Sequence, residues 1–325
     1  MDKGLYTEPS KITTGGWLDI WLEEYTNDIK PNTKARYGDV IRVHLKPNLG
    51  AATLQQLKTP AIQKLYNDLQ RRGMSPKTIR DIHGVLHSAL KQAVKLSYIR
   101  SNPSESCSLP RREKREMQVL TDEKLTAFFA AIKGHPDEHV LFTAIFTGMR
   151  MGELLGLTWD CVDFDNGTIT IAKQLYQSRG ESVGCYLDTP KNGKSRMMSP
   201  AVSVMDTLRA RRAKQAEDRL RAGEAWDNPM NLVFTNELGR YNSRNTLRRH
   251  FNDIVAKIGA EGVRFHDLRH SYAVLSISNG DDIKTVQENL GHHTAAFTLD
   301  TYAHVTERMR EDSGKRMDAL IRSMQ

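Results

Sequence analysis

From Trp17 onward, apolar residues recur at helical spacing in short runs that turn signals separate. WLDIWLEEY is the first; Pro31-Asn32-Thr33 breaks it, and Thr33 is expected to N-cap TKARYGDVIRVHL, which Pro47-Asn48-Leu49-Gly50 closes. TPAIQKLYNDLQRRG predicts a third helix, with Thr59 as cap, Pro60 at the first helical position and Gly73 as the stop. Ser75-Pro76 opens the clearest run, in which Ile79, Ile82, Leu86, Leu90 and Ala93 repeat at helical spacing. Residues 17–100 therefore predict a small four-helix domain.

Ser101-Asn102-Pro103 and LPRREKREM follow without an apolar period, which marks roughly 108–117 as a linker. Beyond it, LTDEKLTAFFAAI and HVLFTAIFTG read as helices and Thr168–Ala172 as a β-branched strand. Lys191-Asn192-Gly193-Lys194 reads as a hairpin tip between strand-like flanks. Helices return after Ala201, through VMDTLRARRAKQAEDRL, NTLRRHFNDIVAKI, HDLRHSYAVLSI, IKTVQENL and a last one near 307–324. The expected fold class is mainly α with a small antiparallel β-sheet (α+β). Its parts are an N-terminal extension over 1–16, a helical domain over 17–107, the linker over 108–117 and a second domain over 118–325.

A chain of 325 residues, 39% of them apolar, has material for two such cores. Cys107, Cys161 and Cys185 are widely spaced, show no C-x-x-C pattern and give no disulfide frame or zinc site. The N-terminus lacks an apolar signal core, and no stretch approaches the ~18 apolar residues of a membrane span, so the expected location is the cytoplasm, away from membranes. Formal net charge is +8, and position sharpens its meaning. Residues 1–116 hold 20 Lys and Arg against 12 Asp and Glu, whereas the remainder is balanced at 27 of each. A basic first third suits a polyanion, and Lys77, Arg80, Lys91 and Lys95, all off the apolar stripe of the fourth helix, are expected to meet DNA phosphates.

Four patches carry candidate chemistry: TGMRMGELLGLTW with Arg150 and Glu153, the tip with Lys191, HDLRH with His266 and Arg269, and LGHHTAAFTLDTYAH with His292 and Tyr302. Each alone has an ordinary reading, such as a helix salt bridge or a half-buried ring. Together they fit transesterification at a phosphodiester. Two guanidiniums on different elements can clamp the non-bridging oxygens with paired donors that never lose charge. Tyr302, with a hydroxyl pKa of ~10, needs a neighbouring base to attack, and His266 can serve. The departing deoxyribose oxygen needs a proton, which Lys191 can supply. The scheme requires no metal or other cofactor, and no ligand set is visible in the sequence.

The combination of TGMRMGEL, a hairpin lysine, HDLRH, LGH and TYAH resembles the tyrosine recombinase family, in particular the integrases of phages and conjugative transposons. The first hundred residues are similar to its core-binding domain through GGWLDIWLEEY, HLKPNLG, MSPKTI and the closing NP. The resemblance implies a pocket of Arg150, Lys191, His266, Arg269 and His292, with Tyr302 as nucleophile and Glu153 supporting the first arginine. His292 is taken over His293 because it directly follows Leu290-Gly291. It further implies a 3′-phosphotyrosyl intermediate, integration and excision of a mobile element at double-stranded DNA attachment sites, a homotetramer acting through a Holliday junction, and accessory DNA-bending or excision factors at the bacterial nucleoid. The family's C-terminal segment docks on a neighbour, and Met317, Leu320, Ile321 and Met324 form a suitable apolar stripe. Only about sixteen residues precede Trp17, which leaves little room for the arm-binding domain many such integrases carry. A Xer-like resolvase and a type IB topoisomerase share the tyrosine chemistry and remain alternatives.

Overall fold

The computed structural model describes residues 12–111, 118–177, 184–190 and 193–291, and near the C-terminus 314, 317–318 and 321–324. They form two compact units, one ending within the 108–117 region and the other following it.

The first unit is built from α1 (Thr14–Glu24), α2 (Pro31–Val40) running through a π turn (Ile41–Leu45) into α3 (Lys46–Leu49), then α4 (Thr59–Arg71) and α5 (Pro76–Lys95). Thr13 caps α1, its hydroxyl accepting from the Gly16 N–H at 3.1 Å. Two expected caps move. Helix α2 begins at Pro31 with Lys30 in the cap position, so Thr33 lies inside it: a residue before proline is pushed to extended ψ, here 144°, and that defines the start. Helix α4 begins one residue earlier than expected, at Thr59 with Lys58 in the cap position, and the Thr59 hydroxyl donates to the Pro103 carbonyl at 2.7 Å. The helix closes within Pro47-Asn48-Leu49-Gly50, as expected, and Pro47 itself is helical. It sits in the first turn of α3, just after the π turn, where its missing N–H and its ring are tolerated, and the chain turns at Gly50.

Helix α5 opens at Ser75-Pro76 as expected, and Ser75 caps it, its hydroxyl accepting from the Thr78 N–H at 3.1 Å. The α5 stripe Ile79, Ile82, Val85, Leu86, Ala89, Leu90 and Ala93 is fully buried against Trp17, Leu18, Leu45 and Ile62. Each large aliphatic side chain so buried contributes about 2 kcal/mol. Trp17 also satisfies its indole N–H on the Ala89 carbonyl at 2.9 Å.

The second unit begins with α6 (Asp122–Ile132), α7 (Glu138–Thr147) and α8 (Met151–Leu155). Five short strands follow: β1 (Val162–Asp163), β2 (Thr168–Ile171), β3 (Gln174–Gln177), β4 (Cys185–Asp188) and β5 (Arg196–Met198). Then come α9 (Val202–Ala222), α10 (Arg244–Lys257), α11 (Asp267–Ser278) and α12 (Ile283–Leu290). Phe128, Phe251 and Phe265 pack with centroids 6.1 and 5.5 Å apart at the centre of its core.

The strands make two antiparallel sheets, β1-β2-β5 and β3-β4. This corrects the expected hairpin around residues 191–194. Its flanks pair elsewhere, β4 with β3 (Leu187 opposite Leu175) and β5 with β2 (Met198 opposite Ile169), so residues 189–195 connect two sheets. Strands of three or four residues carry too little pattern to specify a partner.

Candidate active site and nucleic-acid interface

Helix α7 ends at Gly148, whose φ of 60° is left-handed. A Cβ there would lie 2.6 Å from both Leu290 Cδ2 and Tyr272 Cδ1, so glycine is required by conformation and by space. The chain then delivers Arg150 to the N-cap of α8. Glu153, fully buried in the first turn, reaches back to accept the Arg150 backbone N–H at 3.0 Å, and its other oxygen accepts from Arg150 Nη1 at 2.8 Å.

Arg196, on β5, was not singled out in the sequence. Its Nη1 and Nη2 donate to the two Glu153 oxygens at 3.1 and 2.7 Å, so one carboxylate serves two guanidiniums. Burial alone would raise the Glu153 pKa. The hydrogen bonds and charge of Arg196, followed by those of Arg150, overcome that and hold it down to about 2.

Three arginines from three elements converge on the C-terminal end of α12. Arg196 Nε donates to the Asn289 carbonyl at 2.7 Å, Arg269 Nη2 to the Leu290 carbonyl, and Arg150 Nη2 reaches the Gly291 carbonyl at 3.5 Å. These are terminal helix carbonyls, which carry the negative end of the dipole and need external donors. Arg269, buried on α11, also donates through Nη1 to the Gly148 carbonyl at 2.7 Å, tying α7 to α12. Arg150 and Arg269 thus lie at one point, where the chain enters the segment bearing His292 and Tyr302. Gly291 makes that exit in the left-handed region, with Arg196 Cδ 3.0 Å from where a Cβ would be.

His266 precedes α11. Its pKa is pulled down to about 4, first by desolvation and then by His270, Arg269 and Arg150, against the opposing effect of Asp267. His266 is solvent-exposed, and at pH 7 its imidazole is neutral and can accept a proton. Asp267 beneath it is engaged by Arg264 through two guanidinium bonds of 3.0 and 2.8 Å. His266 opens into a pocket of about 440 Å³ whose wall includes Arg244, Arg248, Arg264, Met149 and Phe265. The only hint of those α10 arginines in the sequence was the basic run SRNTLRRH.

Of the expected site residues, Arg150, Glu153, His266 and Arg269 come together. Lys191, His292 and Tyr302 lie outside the described residues, and Lys194 is exposed. In the first unit Lys77, Arg80, Lys91 and Lys95 are all exposed on one face of α5, with only Gly84 and Ser88 between them at the same helical spacing. Arg80 also donates to the Pro110 carbonyl at 3.0 Å. Two cations at each end of α5 with small residues between them can lie close to a phosphate backbone.

The chain is similar to known proteins along nearly its full length. The phage integrase family matches residues 118–309, and the N-terminal SAM-like domain of phage integrases matches residues 13–70. A XerC-like tyrosine recombinase from Caldanaerobacter subterraneus subsp. tengcongensis is 28% identical, over 98% of this chain and 86% of the relative. The ICEBs1 integrase of Bacillus subtilis is 24% identical, over 94% and 82%. Among solved structures, the Tn1549 transposon integrase in complex with a circular intermediate DNA superposes with a TM-score of 0.78 at 22% identity, over 94% of this chain and 99% of that one. A lambda integrase tetramer bound to a Holliday junction gives 0.66 at 19%, over 89% and 78%.

Proposed function

Because the chain belongs to the phage integrase family and is therefore a site-specific tyrosine recombinase that cleaves and rejoins DNA, we propose that Tyr302 is its nucleophile and that Arg150 and Arg269 clamp the phosphate it attacks. In this reading the Tyr302 oxygen bonds to phosphorus and its proton passes to His266. The bond to the 5′ oxygen breaks, and Lys191 donates the proton that oxygen needs. His292 adds a further donor to the phosphate. The product is a 3′-phosphotyrosine and a free 5′-hydroxyl, which attacks the phosphotyrosine of a partner duplex; bond energy is conserved and no nucleotide is consumed. Glu153 and Arg196 keep the Arg150 fork aimed.

The observation that carries the proposal is the meeting of the Arg150 and Arg269 guanidiniums at the end of α12, with His266 at the start of the helix that carries Arg269. The partner is double-stranded DNA at attachment sites, gripped by Lys77, Arg80, Lys91 and Lys95. Four copies act together, with accessory DNA-bending or excision factors, on the nucleoid in the bacterial cytoplasm. Among the described residues no helix is long and apolar enough to cross a membrane. The likeness to the XerC-like protein supports a second reading, a resolvase with the same chemical steps and a different pair of sites.

Tyr302→Phe tests the proposal on a nicked suicide substrate. DNA binding is kept and the covalent adduct disappears, because only the attacking oxygen is lost. An undiminished adduct removes Tyr302 from the role.

A further inference from the structure

The fold brings His135, Asp137 and His250 into one cluster away from the phosphate-binding arginines. His135 lies in the turn between α6 and α7, Asp137 occupies the N-cap of α7, and His250 arrives from α10, 113 residues further along than Asp137. His250 Nδ1 is 2.6 Å from Asp137 Oδ2, His135 Nδ1 is 3.9 Å from the same oxygen, and the imidazoles meet edge to face at 5.4 Å. One ligand atom from each of the three can be chosen so that all lie within 4.8 Å of one another.

We propose that His135, Asp137 and His250 form a binding site for a divalent transition-metal ion, zinc foremost. Two imidazole nitrogens and one carboxylate oxygen suit zinc, cobalt or nickel and are a poor set for magnesium or calcium, which take oxygen ligands. Zinc bonds of about 2.0–2.1 Å place tetrahedral donor atoms about 3.3 Å apart. The two distances to the carboxylate oxygen, 2.6 and 3.9 Å, lie on either side of that value and all three ligand atoms lie within 4.8 Å, so an ion enters by rearrangement of side chains with the backbone in place. The side chains are 27%, 11% and 29% exposed for His135, Asp137 and His250, enough for entry and for water as a fourth ligand.

The turn that carries two of the ligands is held by its own bonds. The Gly134 N–H donates to Glu138 Oε2 at 2.7 Å, the His135 N–H to the Ile132 carbonyl and the Glu138 N–H to the His135 carbonyl, both at 2.9 Å. Two contacts oppose the ion: the Asp137 N–H donates to His135 Nδ1 at 3.0 Å, and His250 Nδ1 shares a proton with Asp137 Oδ2 at 2.6 Å; a metal on those atoms displaces both. The affinity is accordingly moderate. The ion's role is structural, pinning the α6–α7 turn to α10, the helix whose Arg244 and Arg248 wall the pocket beside His266.

Two other histidine pairs, His83 with His87 and His266 with His270, stand at helical i,i+4 spacing and set the controls. The test titrates tag-free, metal-stripped full-length protein with cobalt(II), followed by its visible d–d absorption, and then displaces it with zinc. One equivalent is expected, with affinity lowered at least about ten-fold in His135→Ala and in His250→Ala and unchanged in His83→Ala and His270→Ala. Zinc is also expected to raise Tm in the wild type and to lose that effect in His135→Ala, whose side chain leaves a surface turn and does not threaten folding. The proposal is overturned if no ion binds, or if His135→Ala and His250→Ala bind it as the wild type does.

Discussion

Arg196 Nη2 donates to Glu153 Oε2 at 2.7 Å, so the carboxylate that orients Arg150 is itself fixed from the other side by a strand 43 residues away. The pair is almost wholly buried, and Glu153 stays ionised down to about pH 2. Its folded pKa is depressed, so its contribution is complete above the unfolded value of 4.5 and is lost as pH falls from there toward 2. That shift corresponds to about 3 kcal/mol. Glu153→Gln should therefore lose about 3 kcal/mol in urea unfolding at about pH 7, with the gap to wild type shrinking steadily as the pH approaches about 3. A gap independent of pH means the ion pair is not its source.

Arg150→Lys separates charge from geometry. Lysine keeps the charge and loses the fork that now engages Glu153 and the Gly291 carbonyl together. Cleavage should fall by about 3 kcal/mol, roughly a hundred-fold or more, while DNA affinity measured by gel shift changes little. Equal losses in both assays make Arg150 a binding residue only.

The site was legible where its residues stand in compact motifs. Arg150 with Glu153, and His266 with Arg269, are three residues apart in each case, and one turn of helix brings each pair into the site. Arg196 was not legible, because its partners are a distant carboxylate and a main-chain carbonyl, and carbonyl acceptors leave no trace in the identity of a side chain. The same holds for the convergence of three arginines on the end of α12. Helix starts were read within a few residues; the error at Thr33 arose from giving a capping hydroxyl precedence over Pro31, and α4 starts one residue earlier than expected because the Thr59 hydroxyl is turned to the Pro103 carbonyl and does not cap. The cluster of His135, Asp137 and His250 joins segments more than a hundred residues apart, beyond any local pattern.

The pairing of β4 and β5 with different sheets bears on the proton donor. A connection between two sheets is anchored at both ends, and Lys191 and Lys194 are its two lysines. If Lys191 protonates the leaving 5′ oxygen, a substrate with bridging 5′ sulfur should restore cleavage to Lys191→Ala, since a thiolate leaves without a proton. Lys194→Ala should cleave the ordinary substrate at nearly the wild-type rate. Rescue of Lys194→Ala in place of Lys191→Ala moves the assignment three residues along.

The last prediction concerns the C-terminal stripe. Met317, Ile321 and Met324 are 57%, 49% and 76% exposed on their own chain, while Leu320, the fourth member, lies outside the described residues. Three large apolar side chains at helical spacing left open to water suit burial against a second copy of the chain. Recombination needs several protomers held together, whereas each cleavage needs only one pocket. Deleting residues 312–325 should therefore leave single-duplex cleavage and covalent trapping intact, leave Tm nearly unchanged, and abolish strand exchange between two duplexes. If the segment instead packs on its own domain, the deletion uncovers core and Tm falls by several degrees. Thermal unfolding and two-duplex exchange, measured on truncated and intact protein at one salt concentration, separate the two. Preserved exchange removes the docking role; lost exchange with unchanged Tm and intact cleavage places the stripe at the contact between protomers.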